Sequence, residues 1–206
     1  MKHLLICALA AGITLAACSQ KTTPPKATNQ KEDVSEFRAK GIIAGSLTEV
    51  VAALNSGEIS SQALVELYLE RIDLIDKNGP KLQSIISLNP DALENAKKLD
   101  EMRAEGKVLG ALHGVPVLLK DNIESKDSMP TTAGALALKD NITGRDSPLA
   151  AGLRAQGAII LGKTNLSQWA NFRSEGSMSG WSALGGQVRN PHMLDRNPCG
   201  SSSGSG

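Results

Sequence analysis

The stretch VPVLL, residues 115–119, is nearly continuously apolar and ends at Lys120. A second short apolar run, AIIL, lies at residues 158–161. A strand that is buried on both faces has this pattern, because neither face meets water. Helical patterns precede and separate the two runs, and helices alternating with short buried strands are typical of a largely covered sheet. We therefore predict an α/β fold class.

The helical patterns begin with a capping box. Ser46 and Glu49 have the spacing at which each side chain bonds the other's backbone, and Gly57 marks the end of that helix. A second helix is predicted to start at Ser60 or Ser61, because apolar residues then recur at the helical period. The other predicted elements are a short strand within 81–88 and helices over 89–106 and 146–156.

Composition indicates a globular protein, since 41% of the 206 residues are hydrophobic and 21% are charged. The 22 basic and 21 acidic residues give a formal net charge of +1, without a basic stripe along the chain. We therefore expect no nucleic-acid partner. The few histidine, cysteine and acidic residues show no ligand spacing, so no metal site is predicted.

The first 18 residues have the pattern of a secretory signal peptide. Their apolar run, residues 4–17, is too short to span a bilayer as a helix. It ends in LAAC with Cys18, which resembles the lipobox of bacterial lipoproteins, where the cysteine is lipidated. The resemblance implies a lipid anchor in the bacterial cell envelope, on the periplasmic face of the outer membrane, as the only membrane contact. An ordinary cleavable signal with an incidental cysteine is the alternative.

Two further segments follow the leader. Residues 19–36 are polar and contain a Pro-Pro pair, which predicts a flexible linker that cannot bury enough apolar surface to fold. The folded domain is predicted over residues 37–206. Within this mature part Cys199 is the remaining thiol, so no disulfide framework is expected.

Residues 157–164, GAIILGKT, match the phosphate-loop pattern letter for letter. That motif needs a glycine-rich loop whose backbone N–H groups face phosphate. Here the middle positions are the predicted strand itself, and a strand uses its N–H groups in the sheet. We therefore predict that this stretch binds no nucleotide.

Two features could carry chemistry. Lys120 follows a predicted buried strand, and burial lowers the pKa of a lysine towards that of a usable general base. A snorkelling lysine at a strand end is the alternative. The stretch NPCGSSSGSG at 197–206 is either a flexible linker or a tight turn whose small residues let hydroxyls crowd around a reacting atom. Asp121 would keep Lys120 charged if it touched it, but strand alternation sends the two to opposite faces.

Three of the five aromatic residues, Trp169, Phe172 and Trp181, lie within thirteen positions of one another. They indicate either local core packing or an apolar wall of a substrate pocket.

Several segments together resemble the amidase-signature family, and closely its peptide-amidase branch. They occur in the family's order and cover roughly residues 45–206. The matching stretches are LHGVPVLLKD at 112–121, GKTNLSQW at 162–169, GWSALGG at 180–186, RNP at 189–191 and NPCGSSSGS at 197–205. The resemblance implies the amidase-signature fold, a mixed sheet covered by helices, of which this chain is the N-terminal part.

The resemblance also implies a Ser–cis-Ser–Lys triad that hydrolyses a carboxamide bond without a cofactor. Lys120 would be the base, and Ser201 the bridging serine behind a cis peptide bond. The nucleophilic serine would lie beyond Gly206, so the chain is interpreted as truncated and inactive alone. Trp169 to Phe172, including Ala170, could line the acyl side of the site. C-terminal peptide amides are the expected substrates, with other small amides next.

Three alternatives remain. A Ser-His-Asp hydrolase would need His113 or His192, but the sequence lacks the G-x-S-x-G elbow. A glutamine-hydrolysing amidotransferase subunit would share Lys120 and the glycine-serine loop, yet it works in the cytosol, which the leader contradicts. A non-catalytic truncated lipoprotein or binding module is the alternative from another class.

Overall fold

The computed structural model describes residues 45–172 and 175–206 of the chain. The predicted signal peptide at 1–18, with Cys18, and the predicted linker at 19–36 lie outside these residues. None of the helices formed by the described ranges combines the length and apolar character that crossing a membrane requires.

The first helix, α1, spans Leu47–Ser56 and begins with the predicted capping box. The Glu49 N–H donates to Ser46 Oγ over 3.3 Å, and the Ser46 N–H donates to Glu49 Oε2 over 2.6 Å. The helix ends at Gly57, whose φ of 72° is left-handed and suits a residue without a Cβ. Both predicted ends of this helix are confirmed.

Helix α2 spans Ser61–Arg71 and is capped by Ser60, whose Oγ accepts the Ala63 N–H over 3.0 Å. It continues as a π-helical segment, Ile72–Asn78. Helix α4 spans Pro148–Ala155, with proline in its first turn, where a missing N–H costs nothing. The predicted helices are therefore present, with α4 shorter than its predicted range.

Helix α3 spans Ala92–Ala104 and begins later than predicted. The reason is Asn89, which does not act as the N-cap. Its side-chain oxygen accepts the Asp91 N–H over 3.0 Å, and its amide donates to the Ile160 carbonyl over 2.7 Å. Asn89 thus ties the chain to the sheet before the helix starts.

Strands β1 (Ile85–Leu88), β2 (Pro116–Lys120) and β3 (Ile159–Thr164) form one sheet in the order β1-β3-β2. β1 runs antiparallel to β3, and β2 runs parallel to it. Two short strands, β4 (Trp181–Ser182) and β5 (Gly186–Gln187), pair separately. The α/β class and the mixed sheet are confirmed.

The central strand β3 is buried along its whole length. Ile159 and Leu161 pack in a cluster with residues of α2 and α3. Ile160 packs with Leu119 of β2 and Ala150 of α4 in a separate cluster. Because successive side chains of a strand point to opposite faces, helices cover β3 from both sides.

Strand β2 is less buried than its sequence predicts. Only Leu119 of its residues is buried, and Leu118 is 36% exposed. The prediction of burial on both faces is therefore wrong for β2, because it is the edge strand and has β3 as its single neighbour in this sheet. Consequently, Lys120 ends an edge strand and is half-buried.

Candidate active site

The carboxyl ends of the parallel strands β2 and β3 lie side by side, with Lys120 opposite Thr164. The loop that ends the chain folds over this edge. Lys120 Nζ lies 2.7 Å from Ser201 Oγ and 3.0 Å from Ser202 Oγ. The fold thus joins a lysine and two serines that are 81 and 82 residues apart in sequence.

Burial lowers the pKa of Lys120 from its ordinary value. The adjacent carboxylate does not oppose this effect, because Asp121 is buried and turned towards another segment. It accepts hydrogen bonds from the Thr132 hydroxyl and from the N–H groups of Thr132 and Gly134, the last two at 3.3 Å. The prediction that the two side chains part is confirmed.

The glycine-serine loop, residues 199–206, is a bonded turn and not a flexible linker. The Ser167 N–H donates to the Ser201 carbonyl over 3.0 Å, and the Gly204 N–H donates to the Asn165 carbonyl over 3.0 Å. Ser205 Oγ lies 2.7 Å from Thr164 Oγ1. Residues that directly follow or end β3 therefore hold the loop over Lys120.

Gly204 sits against the backbone. A Cβ at this position would lie 2.1 Å from the Ser84 carbonyl oxygen and 2.7 Å from the Asn165 carbonyl oxygen. We expect Gly204→Ala to displace the loop and to lower the free energy of unfolding by about 1–3 kcal/mol. Gly206→Ala is the matched control, since nothing lies within 4 Å of its Cβ position. Thermal unfolding measures both, and equal melting temperatures would contradict the close packing.

The expected cis peptide bond before Ser201 is absent, since no bond within the described residues is cis. The chain turns instead through left-handed Cys199 and Gly200, with φ of 64° and 81°. A non-proline cis bond costs about 3–4 kcal/mol and persists only where its surroundings enforce it. Cys199 and Gly200 are exposed in this structure, so no packing enforces it.

Two further side chains support the loop and were not predicted. Ser167 Oγ accepts the Gly180 N–H over 2.8 Å and lies 3.4 Å from Ser203 Oγ. The Asn165 side chain is fully buried and bonds the carbonyls of Gln83, Gly185 and Gly186. Their only sequence signal is their place directly after a predicted strand, where sites are commonly built.

Residues Gln168–Asn171 form a short 3-10 turn beside the loop. Trp169, Ala170 and Asn171 all have left-handed φ, between 52° and 65°. Such conformations are unfavourable for residues with a Cβ and need support from their surroundings. The Trp169 N–H donates to the Ala133 carbonyl over 3.0 Å, and Asn171 Nδ2 lies 3.4 Å from the Gly200 carbonyl oxygen.

This turn separates two cavities of about 640 Å³ each. Trp169 and Ala170 line the first, together with Ile123, Thr131 and Leu166. The second is lined by Gln168, Asn171, Gly176, Ser177, Met178, Trp181 and Ala183. Two of the three residues expected on the acyl side thus line a cavity.

The aromatic residues are not core residues. Trp169 is 39% exposed, Trp181 is 45% exposed and Phe172 is 90% exposed. The interpretation as local core packing is therefore wrong. Trp169 and Trp181 each line one of the two cavities, whereas Phe172 lines neither.

The structure disposes of two other candidate sites. His113 is buried, with Nδ1 accepting the Leu109 N–H over 3.2 Å and Nε2 lying 2.9 Å from the Leu99 carbonyl oxygen. Both ring nitrogens are thus committed to backbone. Lys163 of the phosphate-loop pattern is buried in β3 and bonds the Ile123 carbonyl and Thr131 Oγ1. Within the described ranges, no group of histidine, cysteine and acidic residues is placed to hold a metal ion.

Comparison with known proteins agrees with this geometry. The family model described as Amidase matches residues 63–206. The native peptide amidase from Stenotrophomonas maltophilia is 50% identical, with a TM-score of 0.75 over 78% of this chain and 32% of that protein. A probable amidase of Arabidopsis thaliana is 48% identical over 77% of this chain and 31% of its own length. A glutamyl-tRNA(Gln) amidotransferase subunit of Thermobifida fusca is 42% identical over 78% and 30%.

The chain spans about a third of the length of these relatives. The family match covers well over half of the chain itself and includes both Lys120 and the glycine-serine loop. The chain therefore belongs to the amidase-signature family.

Proposed function

We propose that the protein hydrolyses carboxamide bonds and that C-terminal peptide amides are its substrates. The observation that carries the proposal is the 2.7 Å contact between Lys120 Nζ and Ser201 Oγ at the carboxyl edge of the sheet. The substrate class is supported by 50% identity to a peptide amidase.

The proposed chemistry moves one proton through two side chains. Neutral Lys120 takes the proton of Ser201, and Ser201 takes that of the nucleophilic serine. The serine oxygen attacks the amide carbonyl carbon, and ammonia leaves with the proton that Lys120 returns through Ser201. Water then cleaves the acyl-enzyme ester and releases the acid.

The nucleophile in this proposal lies in sequence beyond Gly206. Ser202 and Ser203 do not fill its place, because the proposed route needs a separate serine that gives its proton to Ser201. The relatives are about three times as long as the aligned part, which leaves ample sequence for that residue. Residues 1–206 alone are therefore proposed to lack turnover.

The acyl part of the substrate is proposed to lie along Trp169 and Ala170. These residues line a cavity of about 640 Å³, large enough for an amino-acid residue. Its wall combines apolar Ile123, Leu166 and Trp169 with polar Asn122 and Thr131. A peptide backbone with an apolar side chain needs this mixture.

Activity should depend on the protonation of Lys120. The base must be neutral, so kcat/KM should rise with pH through the pKa of Lys120 and level off above it. Because burial lowers that pKa, the midpoint should fall below the ordinary lysine value of 10.5. A pH profile of peptide-amide hydrolysis measures this. A midpoint at the ordinary value, or no rise at all, would argue against a buried lysine base.

The decisive experiment tests the full-length protein on a peptide amide, a small amide, an ester and glutamine. Rapid release of ammonia from the peptide amide is expected. The second candidate, a glutamine-hydrolysing amidotransferase subunit, is favoured by the 42% identity to a protein of that kind. It predicts preference for glutamine, whereas no hydrolysis of any of the four would leave a non-catalytic binding module.

We also propose that Cys18 carries a lipid that holds the protein at the periplasmic face of the outer membrane. The support is the apolar run that ends in LAAC. Radiolabelled palmitate should enter the wild-type protein and not Cys18→Ala, and the variant should leave the membrane fraction. Equal labelling of both would refute the anchor.

A further inference from the structure

The hydroxyl of Ser202 is the second partner of Lys120, and the proposed proton route gives it no role. It lies 3.0 Å from Nζ, against 2.7 Å for Ser201. Within residues 45–172 and 175–206, these two hydroxyls are the hydrogen-bond partners that the structure shows for Lys120 Nζ. We propose that Ser202 is a positioning residue that holds Nζ against Ser201, an inference that rests on the proposed amidase function.

The first argument is the chemistry of the amine. A neutral lysine amine has two N–H donors and one lone pair. If Ser202 takes one N–H, the amine can no longer rotate freely, and its lone pair can be kept towards Ser201. Lys120 needs such a constraint, because a lysine side chain has four rotatable bonds and ends an edge strand.

The second argument is the rigidity of the Ser202 backbone. Its carbonyl accepts the Ser205 N–H over 3.0 Å and the Gly206 N–H over 3.2 Å. Ser205 is in turn held by Thr164, which lies opposite Lys120 in the sheet. The hydroxyl of Ser202 is therefore presented from the same framework that carries the lysine.

The third argument is that the other serines of the loop have different partners. Ser203 Oγ donates to the Cys199 carbonyl over 2.9 Å and lies near Ser167. Ser205 Oγ bonds Thr164. The contact of Ser202 with Lys120 is thus specific to its position and not a general property of a serine-rich turn.

The test compares Ser202→Ala with Ser202→Thr in the full-length protein. Ser202→Ala should lower kcat about tenfold with little change in KM, because the base is misplaced while the substrate site is intact. Ser202→Thr keeps the hydroxyl at an exposed position and should restore kcat. Ser56→Ala, an exposed serine of α1, is the control for loss of a hydroxyl away from the site. A change in KM alone, or no rescue by threonine, would overturn the proposal.

A second readout does not depend on hydrolysis. Acetylation of Lys120 by acetic anhydride, followed by mass spectrometry, should be about threefold faster in Ser202→Ala than in wild type, because one hydrogen bond on Nζ is lost. Lys98, an exposed lysine of α3, is the internal reference. Faster labelling in a protein that hydrolyses no amide would support the positioning contact and reject the proposed function. Unchanged labelling would overturn the contact itself.

Discussion

Replacing Lys120 by methionine should lower kcat for peptide-amide hydrolysis by at least about 10³-fold. General-base catalysis contributes about 10²–10⁴-fold, and Lys120 is the proposed base. Methionine keeps an unbranched chain of similar length, so the packing at the end of β2 should survive. Ammonia release measures the loss, and thermal unfolding shows whether the fold is retained.

The matched control for this variant is Lys98→Met. Lys98 is an exposed lysine that pairs with Glu94 over 3.1 Å along α3, and exposed pairs of this kind contribute little to stability. Its kcat should remain that of wild type. If Lys120→Met retained more than about a tenth of the wild-type kcat, a lysine base would be ruled out.

Ser201→Ala should reduce kcat by a similar factor, about 10³-fold, because it removes the hydroxyl that passes the proton to Lys120. The change leaves the backbone bond from the Ser167 N–H to the Ser201 carbonyl intact. The loop should therefore keep its place, and the melting temperature should change little. Steady-state kinetics and thermal unfolding of the full-length protein test both statements.

The double variant Lys120→Met, Ser201→Ala separates joint action from independent action. Residues that act as one unit lose their effect together, so the double variant should be no slower than either single variant. If the two losses multiply, Lys120 and Ser201 contribute separately. The proton route proposed here would then be wrong, although each residue could still support hydrolysis.

Much of the fold follows from local patterns in the sequence. The capping box at Ser46 and the cap at Ser60 act within a few residues, so helix starts could be predicted from them. The buried strand β3 could be predicted because it is apolar on both faces. The exposure of β2 could not, because Val-Pro-Val-Leu-Leu has the same character at an edge as at the centre of a sheet.

The site shows the same division. Lys120 and the glycine-serine loop could be named from the sequence, but the second hydroxyl on Nζ could not, because Ser202 and Ser203 are chemically alike. The left-handed turn at Trp169 also escaped prediction. Its aromatic residues have the composition of a core, and only the bonds to Ala133 and Gly200 place them at the surface beside a cavity.

The sequence by itself determined the family, the α/β class and the pair of Lys120 and Ser201, because order and spacing of motifs are properties of the chain alone. Tertiary structure decided which hydroxyls reach the lysine and which strand is exposed. It also replaced the expected cis bond with a left-handed turn at Cys199 and Gly200. These features depend on contacts between residues about 80 positions apart, such as Lys120 with Ser202, and no local pattern encodes such a distance.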